Sequence, residues 1–445
     1  MEQITKPHCG ARLDRLPDCR WHSSMFAIVS FGLLVCWSNA VGGLILAQLK
    51  ELGWTDNSTT ATFSAITTAG MFLGALVGGI IGDKTGRRNA FILYEAIHIA
   101  SMVVGAFSPN MDFLIACRFV MGVGLGALLV TLFAGFTEYM PGRNRGTWSS
   151  RVSFIGNWSY PLCSLIAMGL TPLISAEWNW RVQLLIPAIL SLIATALAWR
   201  YFPESPRWLE SRGRYQEAEK VMRSIEEGVI RQTGKPLPPV VIADDGKAPQ
   251  AVPYSALLTG VLLKRVILGS CVLIAMNVVQ YTLINWLPTI FMTQGINLKD
   301  SIVLNTMSMF GAPFGIFIAM LVMDKIPRKT MGVGLLILIA VLGYIYSLQT
   351  SMLLITLIGF FLITFVYMYV CYASAVYVPE IWPTEAKLRG SGLANAVGRI
   401  SGIAAPYAVA VLLSSYGVTG VFILLGSVSI IVAIAIATIG IETKG

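Results

Sequence analysis

Gly79-Ile80-Ile81-Gly82-Asp83-Lys84-Thr85-Gly86-Arg87-Arg88 separates two long apolar runs. A carboxylate, a lysine and two arginines share a loop too short to be a domain. Glycines permit the tight turn, and basic residues at a membrane rim favour the cytoplasmic side. The pattern returns in weaker form half a chain later as Asp324-Lys325-Ile326-Pro327-Arg328-Lys329. One recurrence at that distance points to two similar membrane halves.

Composition agrees. Of 445 residues, 55% are hydrophobic and 12% charged, against about 25% charged in a soluble domain. The formal net charge of +9 comes from residues in short loops between apolar runs, so it argues for topology and not for nucleic acid. The first 24 residues are polar and the apolar run after them is long, so no cleavable signal peptide is expected. His8, Cys9, Cys19 and His22 lie close together near the start, but their spacing fits no standard zinc pattern and no metal is expected. No cofactor is implied.

Apolar spans long enough to cross a bilayer fall at 24–48, 59–81, 90–108, 112–137, 147–171 and 181–202, then at 263–288, 301–323, 331–348, 353–378, 391–414 and 418–440. This predicts an all-α integral membrane protein of twelve transmembrane helices in two six-helix bundles, 24–202 and 263–445. Residues 1–23 read as a cytoplasmic tail. Residues 203–262 read as a cytoplasmic connector with short surface helices, because Tyr215, Ala218, Val221, Met222, Ile225 and Val229 recur at helical spacing. With both termini cytoplasmic, 27 of the 32 basic residues lie on that side, and Lys50, Arg181 and Lys299 lie outside.

Further motifs repeat in order. Glu138-Tyr139-Met140-Pro141 leads to Arg145-Gly146, as Glu380-Ile381-Trp382-Pro383 leads to Arg389-Gly390. Pro203-Glu204-Ser205-Pro206-Arg207 ends the first half, and Ile441-Glu442-Thr443-Lys444-Gly445 ends the second. With Arg118 and the Gly122, Gly124 and Gly126 that follow it, these motifs resemble the major facilitator superfamily, in its sugar-porter and metabolite:proton symporter branches. The resemblance covers nearly the whole chain after residue 24. It implies a central solute site and alternating access between two bundles. Departures are Met320 and Pro327 at glycine positions of the second loop motif, Ile441 at a proline position, and Lys387 where Arg389 would match the first-half spacing.

Acids recur in every charge motif, and membrane topology alone needs none. Asp83, Arg87, Arg88, Glu138, Arg145, Glu204 and Arg207, with Asp324, Arg328, Glu380, Arg389 and Glu442, are therefore candidates for charge pairs between the bundles that latch the cytoplasmic side. Asp83 and Asp324 are also placed near helix N-termini of the opposite half, by Gly390 and Gly146. Within the spans polar side chains are costly and mark function. Asn39, Arg118, Gln280, Tyr281, Asn285, Trp286, Tyr372, Asn395 and Arg399 are the substrate-binding candidates. Proton-coupled relatives often carry an acid in the first helix, but here the stretch is Cys36-Trp37-Ser38-Asn39. Glu95 with His98, one turn apart, is the substitute candidate for proton coupling, beside a purely structural role. Arg118 lies at a different depth from Glu95, too far for a direct pair.

The leading function is secondary active transport of a small polar metabolite, a sugar, polyol or sugar acid, with H+ as a candidate coupling ion. Arg118 and Arg399 favour an organic anion of the same transport class; braced against carbonyls, they are instead compatible with a neutral sugar. A solute sensor without flux is the other class weighed. Three histidines and no P-loop argue against an enzyme or direct ATP drive. The expected setting is a bacterial inner membrane, with the chain acting as a monomer and its partners limited to lipid, solute and coupling ion.

Overall fold

The computed structural model describes residues 7–17, 19–33, 36–141, 145–240, 253–323, 325–383 and 386–443. Among them, helices supply the regular structure and no strand occurs. The first half comprises α1 (Cys9–Asp14), α2 (Arg20–Leu33), α3 (Trp37–Glu51), α4 (Asn57–Thr85), α5 (Arg87–Ala106), α6 (Met111–Tyr139), α7 (Arg145–Asn157), α8 (Ser159–Leu170) and α9 (Ala176–Tyr201). The connector holds α10 (Pro206–Ser211), α11 (Tyr215–Thr233) and α12 (Tyr254–Leu257). The second half comprises α13 (Gly260–Thr293), α14 (Leu298–Met309), α15 (Gly311–Val322), α16 (Arg328–Ser347), α17 (Met352–Cys371), a π-helical turn at Tyr372–Tyr377, α18 (Val378–Glu380) and α19 (Lys387–Ile439).

Ten long apolar segments are present among the described residues, and with α19 crossing twice they account for eleven crossings. The 53 residues of α19 measure about 80 Å at 1.5 Å each, far more than the ~30 Å of hydrocarbon. It bends at Gly417 (φ +64°), where the backbone leaves helical geometry, and so makes two crossings. A further crossing is broken after Asn157 into α7 and α8. Several helices run past their apolar runs: α4 ends at Thr85 and α13 begins at Gly260, so charged ends stand clear of the apolar layer.

Local chemistry sets the helix starts at the end remote from the charge motifs. Asp56, Asn110 and Asn297 each accept a backbone N–H two or three residues into α4, α6 and α14, at 2.7, 2.9 and 2.8 Å. Inside the bundles the helices meet backbone to backbone. A Cβ on Gly74 would lie 2.0 Å from the carbonyl oxygen of Val123, and one on Gly315 2.2 Å from that of Thr364. Apolar tails give helices no reason to associate by hydrophobicity alone, so small residues that admit such close approach hold the bundle by packing.

The two halves pack on each other through α3 with α13, α4 with α19, α7 with α15 and α8 with α14. Away from the charge motifs the seam is tight. Gly43 faces the carbonyl oxygen of Ile284, where a Cβ would come to 2.5 Å. Asn57 Nδ2 donates to Ser414 Oγ and Asn305 Nδ2 to Ser164 Oγ, both at 3.0 Å. Ala61, Trp286, Ile290, Val409, Ala410 and Leu413 form an apolar cluster across this seam.

Residues of the N-terminal segment pack on the connector. Cys9, Leu13 and Leu16 of the α1 region are fully buried against Trp208, Leu209, Ala218, Met222, Ile225 and Val229 of α10 and α11. The predicted apolar face of α11 thus finds its partner in the N-terminal segment. Arg12 bonds Glu219 and lies 2.7 Å from Glu226, Arg15 lies 2.6 Å from Glu226, and Arg207 lies 3.0 Å from Asp14. This small unit hangs from the first bundle: Trp208 Nε1 donates to the Asp83 carbonyl at 2.7 Å, and Arg212 donates to the same oxygen.

Candidate functional site

At the basic end, the described pairs of Arg87 and Arg328 with the motif acids each join residues of one bundle. Arg87 Nη1 reaches Asp83 at 2.7 Å and its Nη2 reaches Glu138 at 2.8 Å. In the second half Arg328 Nε donates to Glu380 at 3.0 Å. The acids that close the two halves are caps. Glu204 Oε1 accepts from the amides of Arg87 (2.7 Å), Arg88 (3.3 Å) and Ser205 (2.9 Å). Glu442 accepts from the amides of Arg328 (2.8 Å) and Lys329 (3.2 Å).

The physical reason is local. The turns at Gly86 and Pro327 present the free first N–H groups of α5 and α16, the positive ends of those helices, and a carboxylate of the same bundle reaches them. Asp83 therefore pairs in its own half, not at the opposite one. Burial pushes the Glu204 carboxyl above its usual value, although its amide bonds and Arg87 oppose this.

Other members of the set take separate places. Arg88 donates to the Trp199 carbonyl at 2.5 Å. Arg207 pairs with the N-terminal segment, and Arg389 lies 5.2 Å over the Tyr254 ring. Asp324 and the Arg145 side chain lie outside the described residues.

At mid-depth, residues of both bundles converge. Tyr160 of α8 meets Tyr367 of α17 edge to face, with ring centroids 5.4 Å apart. The Tyr367 hydroxyl lies near Gln280 and Tyr281 of α13, yet makes no hydrogen bond among the described residues. Sequence reasoning reached Gln280 and Tyr281 but missed Tyr160 and Tyr367 as a pair. Tyr160 directly precedes Pro161 in the middle of its crossing, and that was the available signal.

The remaining candidates divide. Asn285 and Arg118 converge on Gly42: a Cβ there would stand 2.8 Å from Arg118 Nη2 and 3.5 Å from Asn285 Oδ1. Asn39 is buried on α3 next to Ser38. Trp286 is fully buried in the apolar seam and its Nε1 lacks a partner among the described residues. Tyr372 turns into its own bundle, against Gly332 and stacked on Tyr377 at 5.0 Å, and not toward the seam. Asn395 is exposed and donates to the Ser391 carbonyl at 2.9 Å. Arg399 is half-buried one turn along α19, and its Nη1 is buried without a partner among the described residues.

Arg118 and Glu95 make no direct pair, as depth predicted, but Ser38 joins their surroundings. Ser38 Oγ lies 2.8 Å from His98 Nε2, and its carbonyl accepts from Arg118 Nη1 at 2.7 Å. His98 Nδ1 lies 3.6 Å from Glu95 Oε2. Glu95, His98 and Arg118 are all buried. Arg118 also stacks on Phe63, with Cζ 4.7 Å from the ring centroid.

A separate crevice of about 700 Å3 opens at the basic end, lined in part by Trp21, Arg88, Glu204, Arg214, Glu217 and Lys220. It lies under α11, off the seam between the bundles. Arg88 is taken by Trp199, and Arg214 lies 2.5 Å from Glu217. It is therefore a join between connector and bundle and not a passage. Among the described residues no three His, Cys, Asp or Glu side chains group to hold a metal ion, and Cys19 Sγ lies 3.5 Å from His22 Nδ1.

Comparison with known proteins fits this architecture. The chain is 99% identical over 445 residues to YdjK of Escherichia coli (strain K12), covering 100% of this chain and 97% of that one. It is 44% identical over 447 residues to the inner membrane metabolite transport protein YdjE of the same organism, covering 100% of this chain and 98% of that one. The partially occluded inward open structure of the E. coli xylose transporter XylE superposes with a TM-score of 0.75 at 18% identity, covering 96% of this chain and 99% of that one. A family model described as the Major Facilitator Superfamily matches residues 26–406. The chain thus belongs to the Major Facilitator Superfamily, and it is a membrane metabolite transporter.

Proposed function

We propose that the protein moves a small polyhydroxylated metabolite, a sugar, polyol or sugar acid, across a bacterial inner membrane by alternating access. The observation that carries this reading is the group Tyr160, Gln280, Tyr281 and Tyr367. It combines amide and hydroxyl groups with aromatic faces, and it draws them from both bundles at mid-depth. A solute held there contacts both halves, so its binding biases which end is open. The basic end, with both termini, is cytoplasmic, in keeping with the distribution of Lys and Arg. Protons are the candidate coupling ion, with Glu95 and His98 as their site.

The organic-anion reading rests on Arg399, whose buried Nη1 lacks a partner among the described residues. A guanidinium keeps its charge in such a place, and a carboxylate would complete its hydrogen bonds. Arg118 supports this reading less, because the Ser38 carbonyl and the Phe63 ring already engage it.

The test is a panel of sugars, polyols, sugar acids and aromatic acids, scored by thermal stabilisation of the purified protein. A hydroxylated member is expected to stabilise the wild type. Tyr160→Phe and Gln280→Ala should lose that stabilisation at an unchanged ligand-free melting temperature. Stabilisation confined to non-hydroxylated acids, abolished by Arg399→Gln, would replace the first reading with the second.

A further inference from the structure

We infer that Glu95, His98 and Ser38 form a single buried proton-binding site whose charge is read by Arg118. This deepens the transport reading above by linking the coupling-ion site to Arg118 at the seam between the bundles.

The geometry is a chain of three contacts. Glu95 Oε2 stands 3.6 Å from His98 Nδ1, His98 Nε2 stands 2.8 Å from Ser38 Oγ, and the Ser38 carbonyl takes a hydrogen bond from Arg118. Glu95 and His98 are both fully buried, and neither Glu95 oxygen has a hydrogen bond among the described residues. A carboxylate left so in the membrane is expensive unless it binds a proton or keeps a cation near. The groups facing it from other helices are Cys36 before α3, Ser38 on α3 and Ser191 on α9. On α6, Gly124 packs against His98, where a Cβ would come to 3.1 Å from its amide nitrogen. The charged residue that α6 brings to this chain is Arg118.

Proton uptake changes the chain in a defined way. With no added proton, Glu95 is a carboxylate, and neutral His98 keeps its one ring proton on Nδ1, toward Glu95. Nε2 then accepts from the Ser38 hydroxyl. One proton added on Nε2 makes His98 a cation, and the His98–Ser38 hydrogen bond reverses, with Nε2 now donating. The Nδ1 proton then passes to Glu95, because two neutral groups cost less to bury than an ion pair, leaving His98 neutral with its proton on Nε2 and Glu95 a neutral acid. In either placement the pair has gained one positive charge, and Arg118 has lost the net negative charge that offset its own. Arg118 converges with Asn285 of the opposite bundle on Gly42. A change in its balance is therefore felt at the seam, where a ligand carrying oxygen acceptors can restore it.

Infrared titration of the purified protein in lipid tests this without any solute. Protonated Glu95 has a carboxyl C=O stretch that a carboxylate and an amide do not share. The wild type should show such a band that disappears with rising pH, and Glu95→Gln should lack it. Arg118→Gln and His98→Gln should each raise its midpoint by about one pH unit, because each removes a group that stabilises the carboxylate. Ser38→Ala, which cuts the hydroxyl link, should move the midpoint too. These variants keep the site open to test if Glu95→Gln does not fold. An identical titrating band in Glu95→Gln, or a midpoint unmoved by Ser38→Ala and Arg118→Gln, would overturn the proposal. Failure here leaves the solute panel untouched, and failure of the panel leaves this titration untouched.

Discussion

Arg328 Nε stands 3.0 Å from Glu380 Oε2 inside the second bundle, in the place that Arg87 and Glu138 hold in the first. Neither pair spans the seam. Under the proposed alternating access each pair stays closed, and its role is to keep helix ends of one bundle together.

Removing the acid should then be felt as stability first. The Arg328 side chain is 5% exposed and that of Glu380 35%. Glu380→Gln is expected to cost about 1–3 kcal/mol, the scale for disturbing a charge that is largely buried. Glu138→Gln should behave alike in the first bundle. Thermal unfolding in detergent measures both. Unchanged melting with lost transport would instead mark a contact across the seam.

Gly86 is held at φ +96°, and a Cβ there would sit 2.3 Å from Glu204 Oε2. Gly86→Ala should both strain the turn and displace the cap of α5, lowering stability by about 1–3 kcal/mol. Glu204→Gln keeps an acceptor and should cost less. Amide exchange at Arg87 and Arg88 should quicken in the alanine variant, and slow exchange there would argue against the cap.

The clamp of residues 7–16 on the connector is predicted to be acid-labile. Burial opposes ionisation of Glu226 and Glu219, but Arg12, with Arg15 and Arg223, outweighs it and holds both carboxyls below their usual value. Their stabilising effect is full above the ordinary glutamate value of about 4.3 and fades as pH falls through the lowered folded values. Proteolysis near Arg12 should accelerate in that acid range, and Arg12→Ala should produce the same cleavage at neutral pH.

Orientation has its own test. A cysteine in place of exposed Lys235 should resist an impermeant thiol reagent in intact cells and react once the membrane is opened. Ready labelling in intact cells would place the connector outside.

Much of this fold could be read from the chain alone. The apolar spans are long, and the motifs around Asp83, Glu138 and Glu204 return in order near Asp324, Glu380 and Glu442. Partner choice was the part hidden. A list of acids and bases does not say that Glu204 will cap α5 or that Arg88 will turn to the Trp199 carbonyl. Those outcomes depend on where free amides and carbonyls emerge from turns. The α1 segment was hidden for another reason, since six helical residues carry too little periodicity to show that Cys9 and Leu13 have a face to cover. At mid-depth, Gln280 stood out because an amide is rare in lipid. Tyr160 did not, because a tyrosine beside apolar residues reads as packing until Tyr367 is seen across from it.

The hydrogen bonds from Trp208 and Arg212 to the Asp83 carbonyl make the connector an outboard arm of the first bundle. The 19 residues of α11 extend about 28 Å. Any tilt of the bundle is magnified along that length and delivered to an exposed surface. Under the proposed alternating access, a motion hidden in the bilayer would thereby acquire an external pointer, which a dye on α11 paired with one on α16 would let an observer read.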